Sequence, residues 1–134
     1  SLESSLYNFR SMAKTDYHKY LIGEKVPLKK YLYVLRSLLS IRWIERFGTV
    51  APIEFEKLLP LIEDQSKLLF DIKNLIIKKQ DAIEIGLSEP IASIQLFILE
   101  EFERIEKLIP QRVRKNEPLE KLNLIFQSTL LENW

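Results

Sequence analysis

Apolar residues recur every three to four positions through most of the chain, which is the spacing of helices that bury one side. Isolated Gly and Pro residues separate these stretches, as expected at helix ends. The pattern predicts helices over about 2–21, 27–48, 52–59, 64–85, 91–109 and 118–131. No alternating strand pattern competes with them. We therefore expect an all-α fold, a single domain over residues 1–134 with about five main helices plus one short helix.

The second predicted helix, between Pro27 and Gly48, is apolar on nearly every side. Two of its stripes consist of Leu28, Leu32, Leu35 and Leu39, and of Tyr31, Val34, Leu38 and Ile41. Such a helix is typical of a domain centre or a membrane. A third stripe nevertheless carries polar groups, namely Lys29, Tyr33, Arg36 and Ser40. Because an unpaired charge is costly to desolvate, this stripe is either ion-paired to neighbouring helices or lines a site for an anion.

The first predicted helix carries a second cationic stripe, with Arg10, Lys14 and His18 at spacings of four residues. The short connection over 23–27 predicts that the first two helices are antiparallel neighbours. We therefore expect the two stripes to face one solvent-reachable cleft. The candidate phosphate- or nucleotide-binding residues are Lys29, Tyr33, Arg36, Arg42, Lys14 and His18.

These residues also have structural interpretations. Arg36 and Arg42 are alternatively expected to pair with Asp16, Glu45 or Glu54 inside the bundle. His18 is alternatively a solvated residue on the outer face of its helix. The Tyr and Trp side chains near the cations offer flat faces on which a base can stack. Alternatively, they are core residues whose polar tips are hydrogen-bonded.

The sequence lacks the residue patterns of most known kinds of active site. The chain has no Cys and one His, so it contains neither a thiol nucleophile nor the histidine set of a metal cluster or triad. Its three Gly residues do not form a phosphate-binding loop. The pairs Glu54/Glu56 and Glu101/Glu103 diverge on a helix, so we interpret them as solvent-facing or unrelated. We expect neither catalytic residues nor metal ligands within the chain.

Charge is distributed unevenly along the sequence. The net charge is +1, but residues 1–48 hold nine Lys and Arg against four Asp and Glu, which leaves 49–134 with a balance of −4. This asymmetry can steer an anion toward one end, although uneven solvated helix faces give the same count. No apolar run approaches the roughly 18 residues of a membrane span, so we expect a protein that does not enter a membrane. The absence of Cys and of a recognisable signal peptide leads us to expect a cytoplasmic protein.

The segment from about residue 6 to residue 60 resembles a known family. The resemblance is carried by KKYLYVLR at 29–36, RWIE at 42–45 and GTVAPIEFEKLL at 48–59, and the segments FRSMAK at 9–14 and YHKY at 17–20 fit the same region. These segments are similar to RlaP/YcgL-type predicted nucleotidyltransferases of the DNA polymerase β-like superfamily, which have been tied to RNA repair by prediction.

The resemblance implies a partner and a cofactor. In such proteins a mixed α/β catalytic domain precedes a helical part, and this chain, which opens without Met, looks like the C-terminal helical part of a longer protein. The catalytic domain would hold Mg²⁺ through carboxylates and transfer a nucleotidyl group from an NTP to an acceptor hydroxyl. The helical part would pack on that domain and help to bind the NTP, or an RNA or other nucleic-acid acceptor.

Two other functions remain open at this point. The chain is alternatively a helical protein-interaction module without a catalytic role, or a self-standing nucleic-acid-binding bundle. If the chain is an accessory domain or a protein-interaction module, apolar surface near the first two helices is expected to be exposed or covered in a homodimer.

Overall fold

The computed structural model describes residues 1–80 and 86–108, and it confirms the all-α fold class. Within these ranges the elements are α1 (Leu2–Tyr20), β1 (Val26–Pro27), α2 (Lys29–Phe47), a 3₁₀ helix (Phe55–Ile62), α3 (Ser66–Gln80), β2 (Leu87–Ser88) and α4 (Ala92–Leu108). The predicted helix over 118–131 and the ends of two others lie outside the described residues. None of the described helices has the length and apolar character that crossing a membrane would need.

Helix α2 is the centre of the bundle, as its two apolar stripes predict. Both stripes are buried, and α1, the 3₁₀ helix, α3 and α4 all pack on this helix. The core residues from the other helices include Leu6, Ala13, Leu58, Ile62, Ile72, Leu75, Ile94, Ile98 and Ile105. Burying large aliphatic side chains stabilises the fold by about 1.5–3 kcal/mol each.

Tyr31 illustrates how a polar tip is accommodated in this core. Its ring is fully buried, and its hydroxyl donates to Gln95 Oε1 at 2.6 Å and accepts from the Ile91 amide at 3.3 Å. The Gln95 amide in turn donates to the Leu21 carbonyl, just past the end of α1. Burial raises the pKa of the Tyr31 phenol. The contact therefore ties α1, α2 and α4 together through satisfied polar groups.

The helix ends follow local backbone chemistry. Ser1 caps α1 by accepting a hydrogen bond from the Ser4 amide. Helix α1 then ends at Tyr20, where the Leu21 amide donates to the Tyr17 carbonyl, one residue before the predicted helix end at Leu21. Gly48 ends α2 in a left-handed conformation with φ 66°, and its amide donates to the Ile44 carbonyl at 2.8 Å.

Two features differ from the sequence prediction. Val26 and Pro27 pair antiparallel with Ser88 and Leu87, and two-residue strands are too short to leave an alternating pattern. The short helix begins at Phe55 instead of Pro52, because the chain before it is extended. It also continues through Pro60 to Ile62, because the fixed φ of proline suits a 3₁₀ helix.

Candidate functional site

The third stripe of α2 faces solvent over its first two turns. Lys29, Tyr33 and Arg36 are exposed, whereas Ser40, which continues the stripe, is buried. Lys30 lies beside this stripe with its ammonium 4.7 Å from the centre of the Tyr33 ring and 4.2 Å from that of Tyr20. These distances are typical of cation–π contacts, so this part of α2 combines positive charge with exposed aromatic surface.

Tyr33 and Arg36 line a cleft of about 300 Å³. The other described residues that line the cleft are Leu32 of α2, Phe55 and Glu56 at the start of the 3₁₀ helix, and Ile76 and Lys79 near the end of α3. Two cations, two aromatic rings and one carboxylate thus meet over an apolar floor. Pockets that bind small molecules commonly have this composition, an apolar lining with a few convergent polar groups.

Arg36 is held in this cleft by neutral groups. Its Nη1 donates to the Ile53 carbonyl at 2.6 Å, and its guanidinium lies 5.5 Å from the centre of the Phe55 ring. Within residues 1–80 and 86–108 it forms no ion pair with a carboxylate. The alternative in which Arg36 pairs with an acidic side chain is therefore wrong for this part of the chain, and the charge of Arg36 is not neutralised.

Helix α1 does not supply the facing wall of the cleft. Lys14 Nζ donates to Glu106 Oε1 at 2.6 Å, and Arg10 donates to the same oxygen at 2.7 Å. His18 is exposed, with its ring edge-on to Tyr17 at 5.4 Å. The expectation that Lys14 or His18 lies across from Arg36 is thus wrong for the described lining. Their assignment to a ligand site stays a prediction, as does that of Lys29, which is exposed one turn before Tyr33.

Glu106 is strongly stabilised as a carboxylate by these two cations. Partial burial raises its pKa, but the hydrogen bonds and charges of Lys14 and Arg10 outweigh this effect and lower the pKa to about 2. Two residues of the cationic stripe of α1, Arg10 and Lys14, therefore bind α4 within the bundle.

Arg42 lies in a second charge network, away from the cleft. It donates through Nε to Glu101 Oε1 at 2.7 Å and also through Nη2. Arg104 donates to Glu101 Oε2 at 2.8 Å and to Glu45 Oε2 at 2.7 Å. Burial lowers the pKa of Arg104, but its two carboxylate partners reverse this and raise it. Arg42 is thus paired inside the bundle, with Glu101 instead of the carboxylates named from the sequence.

Glu101 is the residue whose role the sequence interpretation missed. It is 2% exposed, although the Glu101/Glu103 pair was expected to face solvent. Its position offered a signal, because it continues the spacing of Ile94, Ile98 and Ile105, which form the buried stripe of α4. A carboxylate in such a stripe indicates cationic partners on neighbouring helices.

Comparison with known proteins shows the family. The model of the RNA repair pathway DNA polymerase beta family, RlaP, matches residues 1–128. The chain belongs to this family. It is 33% identical over 133 residues to the uncharacterized protein YcgL of Bacillus subtilis (strain 168). The alignment covers 98% of this chain and 51% of YcgL. The chain therefore spans about half the length of this RlaP relative, and no solved structure matches it.

The Mg²⁺ implied by the RlaP resemblance does not fit the described carboxylates. Glu101 and Glu106 are each held by two cationic side chains, and Asp71 accepts from Ser93 and Lys67. Within residues 1–80 and 86–108, no three Asp, Glu, His or Cys side chains are grouped as a metal site requires.

Proposed function

We propose that this chain is an accessory helical domain of an RlaP-type nucleotidyltransferase. Its cleft between α2, the 3₁₀ helix and α3 helps to bind the NTP or the nucleic-acid acceptor. The carboxylates and Mg²⁺ that activate the phosphoryl group belong, in this proposal, to a catalytic domain of the same parent protein. Family membership supports the reaction class, and the composition of the cleft supports the binding role.

One observation carries the binding role: Arg36 lies in an aromatic cleft without a carboxylate partner among the described residues, whereas Arg10, Arg42 and Arg104 are paired. Arg10, Arg42 and Arg104 each contact a carboxylate, whereas Arg36 contacts a carbonyl and a ring. A guanidinium presents donors in a planar fork that matches phosphate oxygens. Lys79 adds a second charge at the same cleft.

The remaining lining residues suit the rest of a nucleotide. The rings of Tyr33 and Phe55 offer faces on which a base can stack. The Glu56 carboxylate can accept hydrogen bonds from ribose hydroxyls or from an exocyclic amine. Its negative charge is outweighed by Arg36 and Lys79, so the cleft as a whole favours an anionic ligand.

The alternative of a protein-interaction module is supported by a separate observation. Val50 and Ile53, in the connection between α2 and the 3₁₀ helix, are 78% and 87% exposed. Aliphatic side chains exposed to this extent on one short segment favour docking against another protein or domain. A surface of this kind is also compatible with an accessory domain that packs on its catalytic partner.

The binding role is tested by calorimetric titration of the chain with each of the four NTPs. Arg36→Ala should weaken binding by about 10-fold or more, because it removes charge-assisted hydrogen bonds worth roughly 1.5–3 kcal/mol. Lys79→Ala should also weaken binding, and it leaves the contact of Arg36 with Ile53 in place. Lys73→Ala removes an exposed charge from the same helix outside the cleft and is the matched control.

The thermal midpoints of the same variants separate binding from stability. We expect Arg36→Ala and Lys79→Ala to unfold within about 2–3 °C of the parent chain, since both side chains are exposed. If Arg36→Ala unfolds at a much lower temperature while its folded fraction binds NTP normally, Arg36 is structural and the proposal fails. Absence of NTP binding by the unaltered chain also contradicts it.

A further inference from the structure

A second pocket with aromatic and cationic groups lies at the other end of α2. It has a volume of about 440 Å³. The rings of Trp43 and Phe47 meet there with centroids 4.4 Å apart, and the Arg46 guanidinium lies 5.6 Å from the Phe47 ring. Lys57 and Leu61 of the 3₁₀ helix form the facing wall.

The two pockets lie along one stripe of α2. The stripe runs with alternating spacings of four and three residues through Lys29, Tyr33, Arg36, Ser40, Trp43 and Phe47. Ser40 in its middle is buried, and the side chains on either side of it open into the two pockets. The 3₁₀ helix is a wall of both pockets, with Phe55 in the first and Lys57 in the second.

The charge of the second pocket resembles that of the first. Arg46 is exposed, and among the described residues its guanidinium has a cation–π contact with Phe47 and neither a hydrogen bond nor an ion pair. Lys57 has one ion pair, at 3.6 Å, with the exposed Glu54. Such surface pairs contribute little and exchange readily for another anion. Glu63 is the acidic residue in the described lining, so cations outnumber carboxylates here as well.

We propose that both pockets hold parts of the same single-stranded nucleic acid. In this arrangement a base stacks on the Trp43–Phe47 pair, and Arg46 and Lys57 contact phosphates. Ten residues separate Tyr33 from Trp43, which corresponds to about 15 Å along a helix. That distance is about four stacked nucleotides at ~3.4 Å each, so a mononucleotide cannot contact both pockets.

This inference rests on the proposed function of the first pocket and narrows it to a single-stranded acceptor. A cationic track interleaved with aromatic faces is the arrangement by which proteins bind single strands without reading their sequence. A short apolar groove for a protein helix would not need two separate clusters in which cations outnumber carboxylates.

The test uses 5′-phosphorylated oligouridylates of one, two, four and six nucleotides. Trp43 and Trp134 are the two tryptophans, so a Trp134→Phe background makes Trp43 the sole indole reporter. We expect affinity to rise at least about 10-fold between two and six nucleotides, with quenching of Trp43 emission by the longer strands. Calorimetry of the same mixtures measures total binding, which for the mononucleotide is expected at the first pocket.

Phe47→Ala should weaken binding of the hexanucleotide about 5- to 100-fold, the range found when a stacking ring is removed. Binding of the mononucleotide should stay unchanged. Phe47 is 50% exposed, and Met12→Ala, at a residue of α1 that is 53% exposed, is the matched control for loss of an exposed apolar side chain. Met12→Ala should bind both ligands as the parent does.

The outcomes distinguish this inference from the proposed function. If mononucleotide and hexanucleotide bind equally well and Phe47→Ala changes neither, the second subsite is refuted while the first pocket stands. If Arg36→Ala leaves hexanucleotide binding unaltered although Phe47→Ala abolishes it, the two pockets do not share one strand. If neither ligand binds, the inference fails, whereas the proposed function of the first pocket is decided by the separate titration with NTPs.

Discussion

At the scale of single residues, the arginines divide by the kind of group that they contact. Arg42 and Arg104 share the buried carboxylate of Glu101, whereas Arg36 contacts a carbonyl oxygen and an aromatic ring. Helical spacing predicted that Arg36 lies on an exposed polar stripe. It could not predict the partner of Arg42, because Glu101 is 59 positions away in the chain and spacing within a helix determines only neighbours on that helix.

The network around Glu101 should be important for stability. Replacing Glu101 by Ala leaves Arg42 without this carboxylate and Arg104 with Glu45 alone. Because both guanidinium groups are partly exposed, we expect the free energy of unfolding to fall by about 1–3 kcal/mol. Denaturant unfolding measures this change. Glu100→Ala, at the exposed neighbouring residue, is the control and should alter stability by less than about 0.5 kcal/mol. Equal stability of the two variants would show that the network contributes nothing net.

At the scale of elements, the helix ends that fall within residues 1–80 and 86–108 were predicted to within about three residues for the four long helices. The β1–β2 pair and the 3₁₀ character of Phe55–Ile62 were not predicted. Both depend on tertiary packing of short segments, for which a periodic pattern has too few residues. The facing wall of the cleft was also assigned to the wrong helix, because loop length predicts which helices are neighbours but not which of their faces meet.

Packing of α1 against α4 should depend on pH through Glu106. Its pKa in the folded chain is about 2, below the ordinary value of 4.5, so the ionised form stabilises the fold. This contribution is complete above about pH 4.5 and is lost as the pH falls toward about 2. Because solvent screens this partly exposed carboxylate, we expect the free energy of unfolding to fall by about 1 kcal/mol over this pH range.

The measurement for Glu106 is the free energy of unfolding across that pH window for the parent chain and for Glu106→Gln. The variant lacks the titrating carboxylate, so its stability should fall less as the pH is lowered. Parallel curves for the two proteins would mean that Glu106 does not link α1 to α4 energetically.

The end of α2 offers a backbone prediction. Gly48 adopts φ 66°, which side-chain-bearing residues disfavour, and an added Cβ would meet no atom within 4 Å. Gly48→Ala should therefore cost about 1 kcal/mol through backbone strain alone. Gly86→Ala also adds its Cβ in open space, without a left-handed φ, and should be close to neutral in thermal unfolding. Equal effects of the two substitutions would contradict this account of the helix end.

At the scale of the whole molecule, charge is separated along the chain. The segment that contains α1 and α2 is basic, with a balance of +5 over residues 1–48, and it contributes Tyr33 and Arg36 to the cleft. Composition predicted this asymmetry, and it favours an anionic ligand. Composition could not predict that α3 contributes Lys79 to the same cleft, because that requires the tertiary arrangement.

Oligonucleotide binding should consequently depend on salt. The logarithm of the association constant should fall linearly with the logarithm of salt concentration, because bound cations displace counterions from the phosphates. Lys79→Ala should reduce the slope of this logarithmic plot by about one unit, and Lys73→Ala should leave the slope unchanged. Affinity that is independent of salt would argue for an apolar partner at the cleft.

Chemical-shift mapping tests the binding site most directly. The ¹⁵N-labelled chain is titrated with ATP, and the amide resonances that move are assigned to residues. We predict saturable shifts that centre on Tyr33, Arg36, Phe55 and Lys79 and are lost in Arg36→Ala. Shifts that centre instead on Lys14 and His18 of α1, or no shifts at millimolar ATP, would contradict the claim that this cleft binds nucleotides.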